Sequence, residues 1–221
     1  MKKFAVIVAA GSGVRMNSNL PKQFLLIKNK PVLFYTINTF LKAYDDLTVI
    51  LVLPEDHLAK GQEIIDAYFD NNRIQICEGG RTRFHSVRNG LALIKEDSIV
   101  FVHDGVRCLL STELIHNCYE GAIEFGTAIP VIASKDSVRL ILDDGNEALE
   151  RDNVRLVQTP QTFLSRILLA AYKIDYKDKF TDEASVVEAF GLRINLVDGE
   201  ENNIKITTPD DLAFAESKIS E

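Results

Sequence analysis

The chain has 221 residues, 46% hydrophobic and 26% charged, with 25 Lys and Arg against 32 Asp and Glu and a net charge of −7. These globular values exclude collagen-like, low-complexity and disordered classes, and an acidic balance with no basic run argues against a general nucleic-acid binder. A chain of this length buries about 70% of its unfolded surface and needs neither disulfide nor metal to fold. One domain over residues 1–221 is expected, with an appended arm. Cys77, Cys108 and Cys118 are widely spaced and lack CxxC spacing or a nearby His pair, so reduced thiols in a cytoplasmic protein are expected.

Met1-Lys2-Lys3 precedes the apolar run Phe4–Ala10, which resembles a signal peptide in outline. The run is short and Gly11, Ser12, Gly13 and Arg15 follow it, so a buried first strand explains it better. No stretch approaches the ~18 apolar residues of a membrane span. Phe4–Ala9, Thr48–Leu53, Arg73–Cys77, Ser98–Val102 and Thr127–Val131 read as buried strands, with Asn195–Asp198 as the tail of another. Helices are expected over Pro31–Tyr44, Glu55–Phe69, Thr82–Ile94, from Ser111 onward, Phe163–Ile174 and Thr181–Phe190. A last helix is capped by Thr208 with Pro209 behind it. Strand–helix alternation with continuous apolar strands predicts a mostly parallel sheet covered on both faces. The polar segment 134–155 interrupts the alternation. Its Asp143-Asp144-Gly145-Asn146 turn lies between Val138/Leu140 and Val154/Leu156, which predicts a protruding β-hairpin.

Parallel sheets bind ligands beyond the carboxyl ends of their strands. The first strand ends in Ala9-Ala10-Gly11-Ser12-Gly13-Val14-Arg15-Met16, and Lys22 follows. Small residues let the backbone approach a ligand and turn N–H groups toward an anion. Arg15 and Lys22 on the same loop suit a nucleoside triphosphate. The loop is not a Walker A motif, and Met16 occupies the third glycine position of a dinucleotide fingerprint. The third strand ends in Glu78-Gly79-Gly80-Arg81-Thr82-Arg83-Phe84-His85-Ser86. There Ser86 either bonds a base edge or caps its own helix, and Arg83 is either a ligand or a solvated first-turn residue. Asp104, directly after the fourth strand, suits a metal or substrate contact or a turn cap. His103 reads as a packed histidine. Thr181 is a credible cap for the TDEAS helix, and Lys205, in a strand-like segment, faces either solvent or the site. No nucleophilic triad is apparent.

These segments in this order (AAGSGVRM with PKQF, GGRTRFHSV, VHDGVR, QTPQTF, TDEAS and NIKITTPDDL) resemble the cytidylyltransferases that make 4-diphosphocytidyl-2-C-methyl-D-erythritol in the non-mevalonate isoprenoid pathway. The resemblance runs from Ala9 to about Leu212. It implies a Rossmann-like α/β homodimer with a β-arm at about 134–155, using CTP, a polyol phosphate and Mg²⁺ held mainly by the CTP phosphates. By position it implies a cytosine pocket of Ala9, Ala10, Gly80 and Ser86, a phosphate loop of Gly11, Ser12 and Gly13, and Arg83 among the nucleotide-binding residues. Arg15 and Lys22 are implied as catalytic cations. Asp104, Arg107 and Lys205 are implied as substrate contacts, and Ser137, Arg151 and Thr159 as holding the sugar phosphate, with the arm residues reaching the partner subunit's site. Gly105 and Cys108 stand where the family commonly has Ala and Pro, so a looser loop is expected, and Ile132–Lys135 leave the register of the arm open. The nearest rival is CDP-ribitol pyrophosphorylase, which TDEAS and Arg151 fit less well. A silent nucleotide-binding regulator is opposed by the retained Arg15, Lys22, Asp104 and Lys205, and a dinucleotide dehydrogenase by Met16.

Overall fold

The computed structural model describes residues 1–11, 20–69 and 72–219. Ser12, Gly13 and Arg15 therefore lie outside the described residues. In chain order the elements are β1 (Lys2–Val8), β2 (Leu26–Ile27), β3 (Lys30–Pro31), α1 (Val32–Ala43), β4 (Leu47–Leu53), α2 (Leu58–Tyr68), β5 (Ile74–Glu78), α3 (Arg83–Leu91), β6 (Ser98–Asp104) and α4 (Thr112–Phe125). They continue with β7 (Thr127–Ala133), β8 (Val138–Leu142), β9 (Gly145–Leu149), β10 (Arg155–Val157), β11 (Gln161–Leu164), α5 (Ser165–Ala171), α6 (Glu183–Ala189), β12 (Leu196–Asp198) and α7 (Pro209–Lys218).

The main sheet runs β10-β7-β11-β6-β1-β4-β5, with β12 paired to β7. β6, β1, β4 and β5 are parallel neighbours, whereas β11 is antiparallel to both β6 and β7. The result is a Rossmann-like α/β sheet with helices on both faces. Alternate strand side chains divide the core between them. Ala5 and Ile7 of β1 pack with Leu33, Ile37 and Phe40 of α1 and with Leu114 and Ile115 of α4. Phe4 and Val6 face Phe84, Val87 and Leu91 of α3 and Leu168 of α5. Both faces of β1, β4 and β6 are thus covered, which is why these strands read as unbroken apolar runs.

Four expectations about the elements and their caps are corrected. The return strand of the hairpin is Gly145–Leu149, not the Val154–Leu156 segment. A two-residue turn at Asp143 and Asp144 pairs Leu142 with Gly145 at once, and β9 is exposed along its length, so it carries no apolar alternation to read. Leu156 instead joins the main sheet opposite Ile132. Residues 161–164, whose end was expected to open a helix, form strand β11, fully buried despite Gln161 and Thr162. Asp182, not Thr181, caps α6, through a capping box with Ser185. Residues 203–207 form no strand. Ile206 N–H donates to the Val106 carbonyl (3.0 Å), which lays the segment along the pocket wall. The cap of α7 is as expected: Thr208 with Pro209 behind it, in a box with Asp211.

The loop after β6 is tight rather than loose. Gly105 N–H donates to the Val8 carbonyl at 2.9 Å, and a Cβ at position 105 would stand 2.9 Å from that of Ala9. Cys108 is buried. No helix among the described residues is long and apolar enough to cross a membrane.

Candidate active site

A cavity of about 590 Å³ opens beyond the carboxyl ends of β1, β5 and β6, a size usual for small-molecule sites. Ala9, Ala10 and Gly11 form one side and Gly80, Arg83 and Ser86 another. Lys22, Asp104 and Lys205 complete it. Glycine is required where the walls meet. A Cβ on Gly79 would lie 2.7 Å from that of Ala10, and one on Gly80 would lie 2.4 Å from that of His85. The absent side chains let the start of α3 close against the end of β1.

The backbone around the pocket is already engaged in part. Ala9 N–H donates to the Val52 carbonyl (2.9 Å), and the Ala9 carbonyl accepts from the buried Gln23 amide (2.7 Å). The capping alternative for Ser86 is excluded, because Thr82 caps α3, whereas Ser86 does line the pocket. The Ser86 hydroxyl accepts from Gly80 N–H (3.1 Å) and donates toward the Thr82 carbonyl (3.0 Å), so it fixes the glycine turn.

The charged groups converge on Asp104. Its Oδ2 lies 2.9 Å from Lys205 Nζ and 3.6 Å from Arg107 Nε, and its Oδ1 lies 3.4 Å from Arg83 Nε. Burial alone would raise the Asp104 pKa, but Arg83, Lys205 and Arg107 outweigh it and hold the carboxyl far below its ordinary value. Arg83 is therefore no solvated first-turn residue. Its other edge meets Glu183, a fully buried side chain. Lys22 follows the first strand's loop, and its Nζ donates to the Ile206 carbonyl (2.9 Å).

Glu183, Gln23 and Ile206 are site-building residues that the sequence did not single out. The only signal for Glu183 was an acid among the apolar and small residues of the TDEAS helix. Ser137 and Arg151 are exposed on and beside the hairpin and do not line the pocket. Thr159 is buried beneath it. Asp104 N–H donates to Thr159 Oγ1 (3.1 Å); the Arg107 carbonyl can only accept, so His103 Nε2–H donates to it (3.2 Å) and the Nδ1 of the neutral ring accepts the Thr159 hydroxyl proton (2.9 Å). His103 is thus a neutral, packed histidine, and burial depresses its pKa to about 3.

That depression fixes a sign. An unfolded histidine takes up a proton near pH 6.5 while His103 does not, so stability is whole above pH 6.5 and falls as pH drops toward 3. From pH 6.5 to pH 5 the loss from this group is about 2 kcal/mol, at 1.36 kcal/mol per unit. Denaturant unfolding at both pH values should register it, and His103→Gln should remove most of it.

The family model described as IspD, 2-C-methyl-D-erythritol 4-phosphate cytidylyltransferase, matches residues 4–221. A protein of that name from Phocaeicola vulgatus is 46% identical over 219 residues, covering 99% of this chain and all of the relative. A 4-diphosphocytidyl-2C-methyl-D-erythritol synthase structure from Anaerococcus prevotii superposes with a TM-score of 0.83 at 31% identity, covering 98% and 97% of the two chains. The enzyme from Francisella tularensis gives 0.81 at 31% identity, covering 99% and 100%. A family model matched over residues 4–221 and a full-length relative at 46% identity show that the chain belongs to the 2-C-methyl-D-erythritol 4-phosphate cytidylyltransferase family.

Proposed function

We propose that the pocket beyond β1, β5 and β6 is where this cytidylyltransferase carries out its reaction: transfer of CMP from CTP to 2-C-methyl-D-erythritol 4-phosphate, giving 4-diphosphocytidyl-2-C-methyl-D-erythritol and pyrophosphate. The observation that carries the assignment is the convergence of Lys22, Lys205, Arg83 and Asp104 on one cavity floored by glycine turns. Ala9, Ala10 and Gly80 receive the cytosine, with Ser86 holding the turn. Residues 11–13 and Arg15 meet the triphosphate together with Lys22. Asp104, Arg107 and Lys205 meet the second substrate, and Thr159 contributes by bracing Asp104 from beneath.

An oxygen of the sugar phosphate attacks the α-phosphorus of CTP in line. The new P–O bond forms as the bond to the β-phosphate breaks, and pyrophosphate leaves. A phosphate monoester is already largely ionised near neutral pH, with a second pKa of about 6, so no protein base is needed. The work of the protein is positioning and charge stabilisation. This agrees with a site histidine that is buried and neutral.

Magnesium fits this donor set as a nucleotide-borne ion. Mg²⁺ commonly takes one or two carboxylates together with phosphate oxygens. Asp104 is the one carboxylate among the described residues lining the pocket, and no cluster of three or more acidic, His or Cys ligands occurs among them. Asp104 would face the ion, and the triphosphate would supply further oxygens. When bound, Mg²⁺ offsets phosphate charge.

We read residues 1–221 as one nucleotidyltransferase unit and the arm as a dimer element. Adjacent β8 residues Leu140, Ile141 and Leu142 are 43%, 76% and 44% exposed, so apolar side chains stand bare on both faces of the hairpin. Such a surface calls for a covering partner, and a second copy would bring Ser137 and Arg151 to this pocket. Three unpaired cysteines fit a cytoplasmic protein.

Pyrophosphate release, measured with CTP, ATP or GTP against methylerythritol phosphate or ribitol 5-phosphate, tests the reading. CTP with methylerythritol phosphate should be the productive pair, because a close backbone pocket crowds out purines. Equal use of ATP would overturn the cytosine assignment, and preference for ribitol 5-phosphate would favour the rival reading. Absence of pyrophosphate with every pair would leave a silent binder.

A further inference from the structure

We propose that Glu183 and Arg83 form a positioning pair that holds Asp104, and through it Lys205, in place at the pocket, and that Arg83 is not a nucleotide ligand. The proposal rests on the reading of Asp104 and Lys205 as substrate contacts.

Glu183 is a fully buried carboxylate that no capping role explains, because Asp182 caps α6. The first turn of α6 is locked to β11. Gln161 accepts from Ala184 N–H (2.8 Å) and donates to Asp182 Oδ2 (2.8 Å). Glu183 is thereby held toward Arg83. Its Oε1 accepts from Arg83 Nη1 and from the Tyr172 hydroxyl (3.1 Å), and its Oε2 accepts from Arg83 Nη2 (3.1 Å). Arg83 then turns Nε and Nη2 to Asp104 Oδ1, both at 3.4 Å. Four of the five N–H groups of a rigid guanidinium fork are engaged this way. Asp104 Oδ2 is left to Lys205 at 2.9 Å, with Arg107 Nε farther off at 3.6 Å.

The charges follow the same logic. Glu183 offsets one of the three cations around Asp104. Without it, the Arg83 charge would be drawn into the cavity toward phosphate or further onto Asp104, competing with Lys205. The pair therefore acts on the site at one remove, by fixing which oxygen of Asp104 serves which cation.

Glu183→Gln alone breaks the buried pair and leaves Arg83 with Asp104 as its one carboxylate partner among the described residues, which destabilises the fold. The decisive variant is Arg83→Met/Glu183→Met, which removes both charges together, a change often tolerated for buried pairs. Three quantities are measured: the thermal midpoint, the CTP dissociation constant without second substrate, and kcat with methylerythritol phosphate. The midpoint should stay close to wild type and CTP affinity should hold within about twofold, while kcat falls about tenfold because misplaced contacts slow the step. A kcat within about twofold of wild type would reduce the pair to a structural role. CTP affinity weakened as much as kcat would make Arg83 a nucleotide ligand. Either result overturns the proposal. Asp104→Asn, assayed alongside, separates the two readings. If it keeps wild-type kcat, the substrate role of Asp104 fails and takes the pair's purpose with it. If Asp104→Asn is slow and the double variant is not, only the pair fails.

Discussion

Lys22→Ala is expected to lower kcat by ~10²–10³-fold, the usual consequence of deleting one stabiliser of developing charge from a preorganised site. The residue stands on a short 3-10 turn, Lys22–Phe24, whose other two members are buried. Gln23 ties that turn to the Ala9 carbonyl at 2.7 Å. The ammonium itself is placed by the Ile206 carbonyl at 2.9 Å. A cation held this way is in position before the nucleotide arrives, and its contribution grows as negative charge builds around the α-phosphorus. The loss should therefore fall on kcat far more than on the KM for CTP. Steady-state pyrophosphate release checks it. Turnover within a few-fold of wild type would remove Lys22 from the catalytic assignment.

Arg151→Ala should raise the KM for the sugar phosphate by about 10–100-fold, since a charge-assisted bond to phosphate contributes ~1.5–3 kcal/mol. CTP binding should stay nearly intact. Arg151 is exposed beside the hairpin and, among the described residues, reaches the Lys135 carbonyl (3.5 Å) and Asp152 (3.8 Å), outside the pocket of its own chain. In the dimer proposed above, its contribution would go to the neighbouring subunit's pocket. Mixing Arg151→Ala with Lys22→Ala tests the geometry. In a two-fold dimer, a mixed pair has one site with both defects and one with neither. After equal mixing and exchange, half the dimers are mixed and each has one sound site, so activity should recover toward about a quarter of wild type. No recovery after verified exchange would mean that Arg151 acts within its own subunit or away from the site.

The strands that carry the site were legible because they are buried on both faces. Phe4–Ile7, Val49–Leu53 and Ile99–Val102 are unbroken apolar runs shared between the two core clusters, so the ends of these strands, and the loops after them, could be placed from the sequence. Where burial is not mirrored by hydrophobicity, the pattern misleads. Gln161 and Thr162 are 1% and 0% exposed in β11, yet no strand was expected there. β9 pairs in register with β8 but buries nothing. The Gly105 loop shows the opposite case: a small residue that suggested slack marks close contact with Ala9.

The sequence by itself determined the α/β class, the identity of the site loops and, by resemblance, the family, because these reside in local patterning and in short motifs. Tertiary structure alone decided which charges meet. Arg83 and Glu183 are 100 residues apart in the chain, and Lys205 reaches Asp104 from beyond the last strand. An ion pair depends on three-dimensional distance, and neither residue type nor spacing encodes it. In TDEAS a local explanation, a cap expected at Thr181 and found at Asp182 with Ser185, also hid the buried acid beside it. Only the tie of α6 to β11 through Gln161 turns that acid toward Arg83 and the pocket.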